Sequence, residues 1–209
     1  MGLTIWINVR LTDEAKRLLI ENTREHRLIW AESDAEVTEA DIIFGQPSVK
    51  DCIENERVGW VELPSAGYTR FDTPEFKEIF QDREACLTTV SGVLADSCAQ
   101  HALAMMLALG RMLLPSQQVQ LGERGWDRQP LRKGASLLTG QTVLLLGYGA
   151  IGKRLVELLA PFNMKIYAVR RQTRSERGVK IISEGNLSTV MAEADHIVNV
   201  LPENESTRG

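Results

Sequence analysis

The sequence predicts an α/β protein in which parallel sheets carry helices on both faces. Short apolar segments alternate with helix-like segments along the chain, which is the pattern of a parallel sheet with helical crossovers. A glycine triplet, Gly147, Gly149 and Gly152, stands between one such strand and the helix-like segment after it. The hydrophobic content of 44% can supply a core, and 209 residues leave room for one large or two modest domains.

Residues 1–95 are predicted to form a flavodoxin-like unit. Thr12 is a typical N-cap residue, and a helix is expected from it to about Asn22. Gly45 and Pro47 mark a turn after the third strand. Strands that alternate with helices pair in parallel, so these strands should form one sheet. The predicted strands are 4–9, 27–30, 41–45, 58–63 and 85–90.

A long helix is predicted over residues 96–114, at the start of a second domain that covers 96–209. Its residues are mostly apolar on every side, so we expect it to be buried on several faces. Pro115 is expected to end or kink it, and residues 116–139 have the composition of a polar connection that contains glycine. The strands predicted after this connection begin at Thr142 and continue at 165–169, 179–182 and 196–201.

The glycine triplet has the G-x-G-x-x-G spacing of a dinucleotide-binding loop. The first glycine permits a tight turn, the second lets the backbone approach a pyrophosphate, and the third lets helix pack closely on strand. The helix that follows offers free N–H groups and a partial positive charge to the phosphates. Glycines in an ordinary turn are the alternative, but the strand and helix on either side favour dinucleotide binding. The predicted loop is Gly147, Tyr148, Gly149, Ala150, Ile151 and Gly152.

The residues after the second strand of this domain bear on which dinucleotide binds. An NAD site usually has Asp or Glu about 20 residues beyond the glycines, where it binds the ribose hydroxyls. This chain has Arg170, Arg171 and Arg174 there, and the sequence shows no adjacent carboxylate. Guanidinium groups pair with a 2′-phosphate, so NADP is favoured, with NAD possible. If the arginines form only a solvated basic turn, the choice of coenzyme stays open.

Two small-residue loops are predicted at the carboxyl edge of the first sheet. Ser65, Ala66 and Gly67 follow the fourth strand, and Ser91 and Gly92 follow the fifth. Bare backbone N–H groups in such loops can bind an anionic ligand, although either loop alone could be an ordinary turn. Two of them at one sheet edge make a ligand crevice the better interpretation.

Composition excludes several other classes of function. A net charge of −4 gives no reason to expect nucleic acid or an anionic membrane as partner. No uninterrupted apolar run approaches the roughly 20 residues that span a bilayer. The three cysteines lack metal-ligand spacing, which predicts reduced thiols, no metal site and a cytoplasmic protein. His101 lies in a helix among alanines and leucines, so a structural role is favoured over that of a catalytic base.

With these motifs in order, the chain resembles the D-isomer-specific 2-hydroxyacid dehydrogenases, a family that includes phosphoglycerate dehydrogenase and glyoxylate/hydroxypyruvate reductase. The resemblance extends over essentially all 209 residues. Gln100 departs from it, because the family usually has Glu there. The segments that carry the resemblance are 65–67, 91–93, 99–104, 138–140, 194–196, 201–202 and 206–209.

The resemblance implies hydride transfer between a nicotinamide and a 2-keto or 2-hydroxy acid. It assigns the substrate carboxylate to the backbone of Ser65–Gly67, and it places Leu201, Pro202 and Thr207 at the coenzyme. Arg170 stands where NAD-dependent members have Asp, which again favours NADP. The long helix and the arm over residues 96–126 imply a homodimer.

The family's catalytic Arg, Glu and His have no counterpart among these residues, so no catalytic residue is assigned. Only the first half of the Rossmann dinucleotide-binding domain, with the strand that begins the second half, can be recognised. We therefore expect a truncated reductase that binds the adenine half of its coenzyme at best and exposes an associating strand edge at 197–200. The alternative is a non-catalytic module that senses NADP(H) or dimerises.

Overall fold

The computed structural model describes residues 2–32, 35–122, 124–125, 128–170, 176–204 and 207. The chain divides into two compact units, Met1–Ser91 and Gly92–Pro202, with short C-terminal pieces assigned to each. The sequence placed this boundary after residue 95.

The first unit is built on a parallel sheet of five strands in the order β2-β1-β3-β4-β5. This is the strand order of flavodoxin-like folds, and the predicted fold is confirmed. Its helices are α1 (Asp13–Asn22), α2 (Val49–Glu54) and α3 (Pro74–Asp82), with a 3₁₀ turn at Thr69–Phe71. The strands are β1 (Thr4–Ile7), β2 (Arg27–Trp30), β3 (Ile42–Phe44), β4 (Trp60–Leu63) and β5 (Cys86–Thr89).

Each helix of the first unit begins at a hydroxyl side chain. The Thr12 Oγ1 accepts a hydrogen bond from the Ala15 N–H at 3.2 Å, as its predicted N-cap role requires. Ser48 forms a capping box with Asp51 at the start of α2. Thr73 caps α3. These caps fix where each crossover helix starts, and one face of the sheet then packs on α2 and α3 through Trp6, Ile43, Cys52, Val61, Leu63, Phe76 and Phe80.

The second unit has a four-stranded parallel sheet in the order β8-β7-β6-β9. This is the first half of a Rossmann sheet plus the strand that begins the second half, as predicted. The strands are β6 (Thr142–Leu146), β7 (Lys165–Val169), β8 (Lys180–Ile182) and β9 (His196–Asn199). The helices are α4 (Ser91–Gly110), α5 (Leu113–Leu121), α6 (Arg128–Gly134), α7 (Ala150–Leu159) and α8 (Leu187–Glu193).

Both faces of the second sheet are covered. One face packs Val143 and Leu145 against α4 and α7, and the other packs Leu144 against α8. This two-sided burial explains why β6 is apolar throughout rather than alternating.

The long helix differs from its prediction at both ends. α4 begins at Ser91 and ends at Gly110, where Met112 adopts a left-handed conformation with φ 54°. Pro115 does not end it, because this proline lies in the first turn of α5, where no intrahelical N–H is needed. The segment predicted to be a connection holds most of α5 and all of α6.

The expected burial of this helix on several sides is wrong. Only one stripe of α4 is buried, whereas Met105 is 54% and Leu109 61% exposed. At 20 residues, α4 is also long and apolar enough to cross a membrane by length and composition. A single such helix is weak support for a membrane span, because core helices of globular proteins satisfy the same criterion. The buried stripe is Ala95, Ala99, Met106 and Gly110.

The two units fix the start of their first strands, β1 and β6, in the same way. The Thr4 N–H donates to the Asp41 Oδ2 at 2.7 Å, and the Thr142 N–H donates to the Asp195 Oδ2 at 2.7 Å. Each aspartate follows a Glu-Ala pair and immediately precedes a strand that pairs with this first strand. A carboxylate thus sets the register of the amino edge in both sheets.

Candidate functional site

The backbone conformation at the first position of the triplet requires glycine. Gly147 follows β6 directly and has φ +99°, a backbone conformation that is strained for any residue that carries a Cβ. A Cβ at this position would also lie 3.0 Å from the Val200 carbonyl oxygen. The chain can therefore turn sharply out of β6 and pass close to the end of β9.

The second glycine leaves an open space at the start of α7. Gly149 is the N-cap residue of α7, and no side chain caps the helix. A Cβ at Gly149 would meet no atom within 4 Å. The first N–H groups of α7, starting at Ala150 and Ile151, therefore point out of a helix N-terminus that a small anion can approach. This geometry fits the pyrophosphate of a dinucleotide.

The third glycine brings α7 close to the turn. A Cβ at Gly152 would lie 3.0 Å from the Gly147 carbonyl oxygen. Tyr148, between the first two glycines, is only 8% exposed and packs into the second unit's core. Burial raises the pKa of the Tyr148 phenol, with a further contribution from the Glu176 carboxylate. The loop is thus anchored by one aromatic side chain while its backbone faces outward.

Arg170 follows β7 and is paired with a carboxylate. Its Nη1 lies 3.5 Å from the Glu176 Oε1, and the two side chains are 29% and 35% exposed. The expectation that no carboxylate is near Arg170 is therefore wrong, because the Glu176 carboxylate lies beside it. Arg171 and Arg174, the other two predicted arginines, lie outside the described residues.

The segment after β9 reaches the same loop. The backbone nitrogen of Leu201 would lie 3.3 Å from a Cβ at Gly147, so this segment borders the glycine turn. The Leu201 N–H donates to the Asn199 Oδ1 at 3.1 Å. The Thr207 hydroxyl donates to the Pro202 carbonyl at 2.6 Å. The structure thus brings Leu201 to the predicted coenzyme loop and links Thr207 to Pro202.

Side chains from three places in the first unit hold the loop after β4. The Ser65 hydroxyl donates to the Gly67 carbonyl at 3.1 Å and accepts from the Gln46 Nε2 at 3.0 Å. The Gln46 Oε1 in turn accepts from the Arg70 Nη2 at 2.5 Å, and the Gln46 N–H donates to the Asn8 Oδ1 at 2.7 Å. We refer to Asn8, Gln46, Ser65 and Arg70 as the edge network.

The edge network leaves the backbone of the loop accessible. A Cβ at Gly67 would meet nothing within 4 Å, and Ala66 is partly exposed. Ser65, Ala66 and Gly67 were predicted from the sequence, whereas Asn8, Gln46 and Arg70 were not. Asn8 and Gln46 follow the ends of β1 and β3, so their place at the sheet's carboxyl edge could have been found from the strand prediction.

The second predicted loop is part of a helix. Ser91 and Gly92 are the first residues of α4, and the Thr89 hydroxyl donates to the Ser91 Oγ at 3.2 Å. The prediction of a loop here is wrong because α4 starts immediately after β5. A Cβ added at Gly92 would meet no atom within 4 Å.

The histidines and cysteines show no catalytic arrangement. His101 is exposed on α4. The His196 Nε2 lies 3.0 Å from the Gln141 Oε1, and burial lowers the pKa of this imidazole. Burial also raises the pKa of the Cys52 thiol to about 12, while Cys86 and Cys98 are exposed. Within the described part of the chain, no three potential metal-ligating side chains come together.

Comparison with known proteins agrees with this geometry. The profile of the family described as D-isomer specific 2-hydroxyacid dehydrogenase, NAD binding domain, matches residues 103–209. The chain belongs to this family. The predicted family resemblance is confirmed, and so is the NAD-binding, Rossmann-like character of the second unit.

Two curated relatives align with nearly the whole chain. Formate dehydrogenase of Candida boidinii is 25% identical over 100% of this chain and 58% of its own length. Hydroxypyruvate reductase of Thermotoga maritima is 29% identical over 98% of this chain and 66% of its own length. The chain thus spans less than two thirds of either relative.

Two solved structures show the same fold with different coenzymes. One is the NAD-dependent formate dehydrogenase of Staphylococcus aureus in complex with NAD, with 18% identity and a TM-score of 0.69 over 98% of this chain and 66% of that one. The other is an acyclic imino acid reductase in complex with NADPH and D-Arg, with 17% identity and a TM-score of 0.75 over 98% of this chain and 67% of that one. At these identities the likeness concerns the fold alone.

Proposed function

We propose that this chain forms the coenzyme-binding and carboxylate-binding parts of a D-2-hydroxyacid dehydrogenase. The observation that carries the proposal is the uncapped N-terminus of α7 at Gly149, where a Cβ would meet no atom within 4 Å. Open N–H groups at a helix N-terminus, directly after a left-handed glycine turn, are a site for a pyrophosphate. When bound, the nicotinamide coenzyme supplies or accepts the hydride.

The substrate we propose is a small 2-keto or 2-hydroxy acid. The edge network orients the Ser65–Gly67 loop so that its backbone N–H groups can bind a carboxylate. We assign no catalytic role to any residue in the described part of the chain. The function that we propose for these residues is therefore binding and positioning, and we expect no turnover from the 209-residue chain by itself.

For the coenzyme we propose NADP in preference to NAD. Arg170 stands at the end of β7, where a guanidinium can pair with a 2′-phosphate. The family description names NAD, one structural relative is in complex with NAD and another with NADPH, so both coenzymes occur among similar proteins.

We also propose that the protein is a cytoplasmic homodimer. The described cysteines are all free, as is usual for a reducing compartment. The exposed side of α4 continues into an apolar start of α5, and exposed contiguous apolar surface marks an association site. The residues concerned are Val93, Leu94, Met105, Leu109, Leu113 and Leu114.

A coenzyme titration tests the proposed function. NADPH fluorescence is followed as the 209-residue chain is added, and sedimentation of the same sample reports the oligomeric state. Saturable binding with no keto-acid-dependent oxidation of NADPH is the expected result. Absence of binding by both NADPH and NADH would contradict the proposal. Binding without turnover by a longer form that includes the family's catalytic residues would favour a non-catalytic sensing module instead.

A further inference from the structure

The pairing of Arg170 with Glu176 bears on how this chain distinguishes its coenzymes. Arg170 stands at the position that reads the adenosine ribose, and its guanidinium already lies 3.5 Å from a carboxylate oxygen. A 2′-phosphate can use this guanidinium only in competition with that carboxylate. The selectivity of the site therefore depends on both residues of the pair.

The position of Glu176 is fixed by its own turn. The Val179 N–H donates to the Glu176 carbonyl at 3.2 Å, and Gly178 takes the left-handed conformation with φ +81° that closes this turn. Val179 is buried in the core of the second unit and is followed directly by β8. The carboxylate is thus held by an anchored turn beside the end of β7.

The strand register places the pair next to the glycine loop. β7 pairs with β6 so that Val169 lies beside Leu146, and Arg170 and Gly147 are the residues that follow these two strand ends. Gly147 opens the G-x-G-x-x-G segment, which binds the pyrophosphate in the proposed function. The Arg170–Glu176 pair therefore lies at the same end of the sheet as the predicted phosphate cradle.

We propose that Glu176 is a specificity-determining residue that lowers the preference for NADP by holding Arg170. The carboxylate that NAD-binding members carry at the end of the second Rossmann strand is supplied here from the turn before β8. With NAD, Glu176 keeps Arg170 neutralised and can accept a hydrogen bond from a ribose hydroxyl. With NADP, the 2′-phosphate must displace the Glu176 carboxylate before it can pair with the Arg170 guanidinium. This inference rests on the proposed function.

The test measures dissociation constants of NADPH and NADH for the 209-residue chain and for Glu176→Gln, by titration at low salt. Removing the carboxylate that competes with the 2′-phosphate for Arg170 should strengthen NADPH binding about tenfold and change NADH binding less than about threefold. Glu193→Gln is the matched control, because this exposed glutamate ends α8 before the amino end of β9, at the opposite edge of the sheet.

A double-mutant cycle shows whether Glu176 acts through Arg170. In the Arg170→Gln background, Glu176→Gln should strengthen NADPH binding much less than in the wild-type background. Glu176→Ala should repeat the Gln result, and melting curves should show that the variants remain folded.

The outcomes separate the inference from the function on which it rests. If the wild-type chain binds NADPH or NADH but Glu176→Gln leaves their ratio unchanged, the role of Glu176 is wrong and the proposed function stands. If the wild-type chain binds neither coenzyme, both fail. An equal effect of Glu176→Gln with and without Arg170 would overturn the claim that Glu176 works by holding that arginine.

Discussion

The two units of this chain are alike at the amino edge of their sheets and different at the carboxyl edge. At the amino edge, Asp41 and Asp195 each accept a hydrogen bond at 2.7 Å from the residue that begins the first strand of the unit. Both aspartates follow Glu-Ala in the sequence. This edge is a structural device common to the two sheets.

At the carboxyl edge, the first unit holds its loop with side chains, whereas the loop of the second unit depends on backbone conformation. The edge network of Asn8, Gln46, Ser65 and Arg70 ties the loop after β4 to the ends of two other strands. The loop after β6 has instead a left-handed Gly147 and an open Gly149 at the N-terminus of α7.

This difference matches two kinds of anion recognition. A loop that is held from outside by side chains keeps its own N–H groups oriented for a small carboxylate. A helix N-terminus needs no such tether, because the helix already aligns its N–H groups. In the proposed function, the glycines of the second unit give a phosphate access to backbone N–H groups, and the polar residues of the first unit orient the N–H groups that bind a carboxylate.

The largest expected effect is that of Gly147→Ala. The substitution places a Cβ at φ +99° and 3.0 Å from the Val200 carbonyl oxygen, so the turn must shift or β9 must move. We expect a loss of about 2–3 kcal/mol in the free energy of unfolding, from backbone strain and the close contact together. Urea denaturation measures it, and an unchanged midpoint would show that this turn tolerates a side chain.

Gly149→Val sharpens the comparison, because it should affect binding and not folding. Gly149 has φ −88° and open space at its Cβ position. A valine there fits the fold but fills the approach to the N-terminus of α7, so NADPH affinity should fall by about a hundredfold. The melting temperature should stay within about 3 °C of wild type. A loss of stability equal to that of Gly147→Ala would show that both glycines serve the fold alone.

Asp41→Asn tests the amino edge and gives it a pH dependence. The hydrogen bond from the Thr4 N–H and the neighbouring Arg57 guanidinium lower the pKa of the Asp41 carboxyl, although its desolvation opposes them. A lowered folded-state pKa contributes stability that is present above the unfolded pKa, about 3.9, and is lost as the pH falls through the folded pKa.

We therefore expect Asp41→Asn to cost about 1 kcal/mol at pH 7 and less at about pH 3, which lies below the unfolded pKa, so that part of the stability from the wild-type carboxylate is lost there. Unfolding free energies at the two pH values check this. Asp195→Asn serves as the comparison for the same backbone hydrogen bond in the second unit. A difference in the free energy of unfolding between Asp41→Asn and wild type that increases as the pH falls would contradict the account.

Gln46→Ala should have the smallest effect on stability and a local effect on the loop. It removes the hydrogen bonds to the Ser65 hydroxyl and from Arg70, all of them on an exposed surface. We expect less than about 0.5 kcal/mol of global destabilisation. Amide hydrogen exchange over residues 65–67 should become several-fold faster, as local opening becomes easier. Unchanged exchange would mean that the loop holds its shape without the network.

The strands and their parallel pairing could be predicted because their signal is local. Most of the strands are short runs rich in apolar residues, and the limits of β2 and β7 agree with the predicted limits to the residue. The dinucleotide loop was visible for the same reason, since its strand, glycines and helix are consecutive. Parallel pairing then followed from the alternation with helices.

The failures concern features that composition and periodicity do not encode. The start of α4 at Ser91 was missed because Ser-Gly has the composition of a loop. The exposed apolar face of α4 was missed because composition does not say what packs against a helix. Glu176 was missed because the sequence does not show that its carboxylate lies beside Arg170. The edge network was missed because its members meet only when three strand ends are side by side.

The most direct test of the central claim is a crystal structure of the chain with NADPH bound. We predict pyrophosphate oxygens within about 3 Å of the N–H groups at the start of α7, next to Gly149, with the Gly147 turn unchanged. Coenzyme density elsewhere on the protein, with no phosphate at this helix N-terminus, would contradict the account.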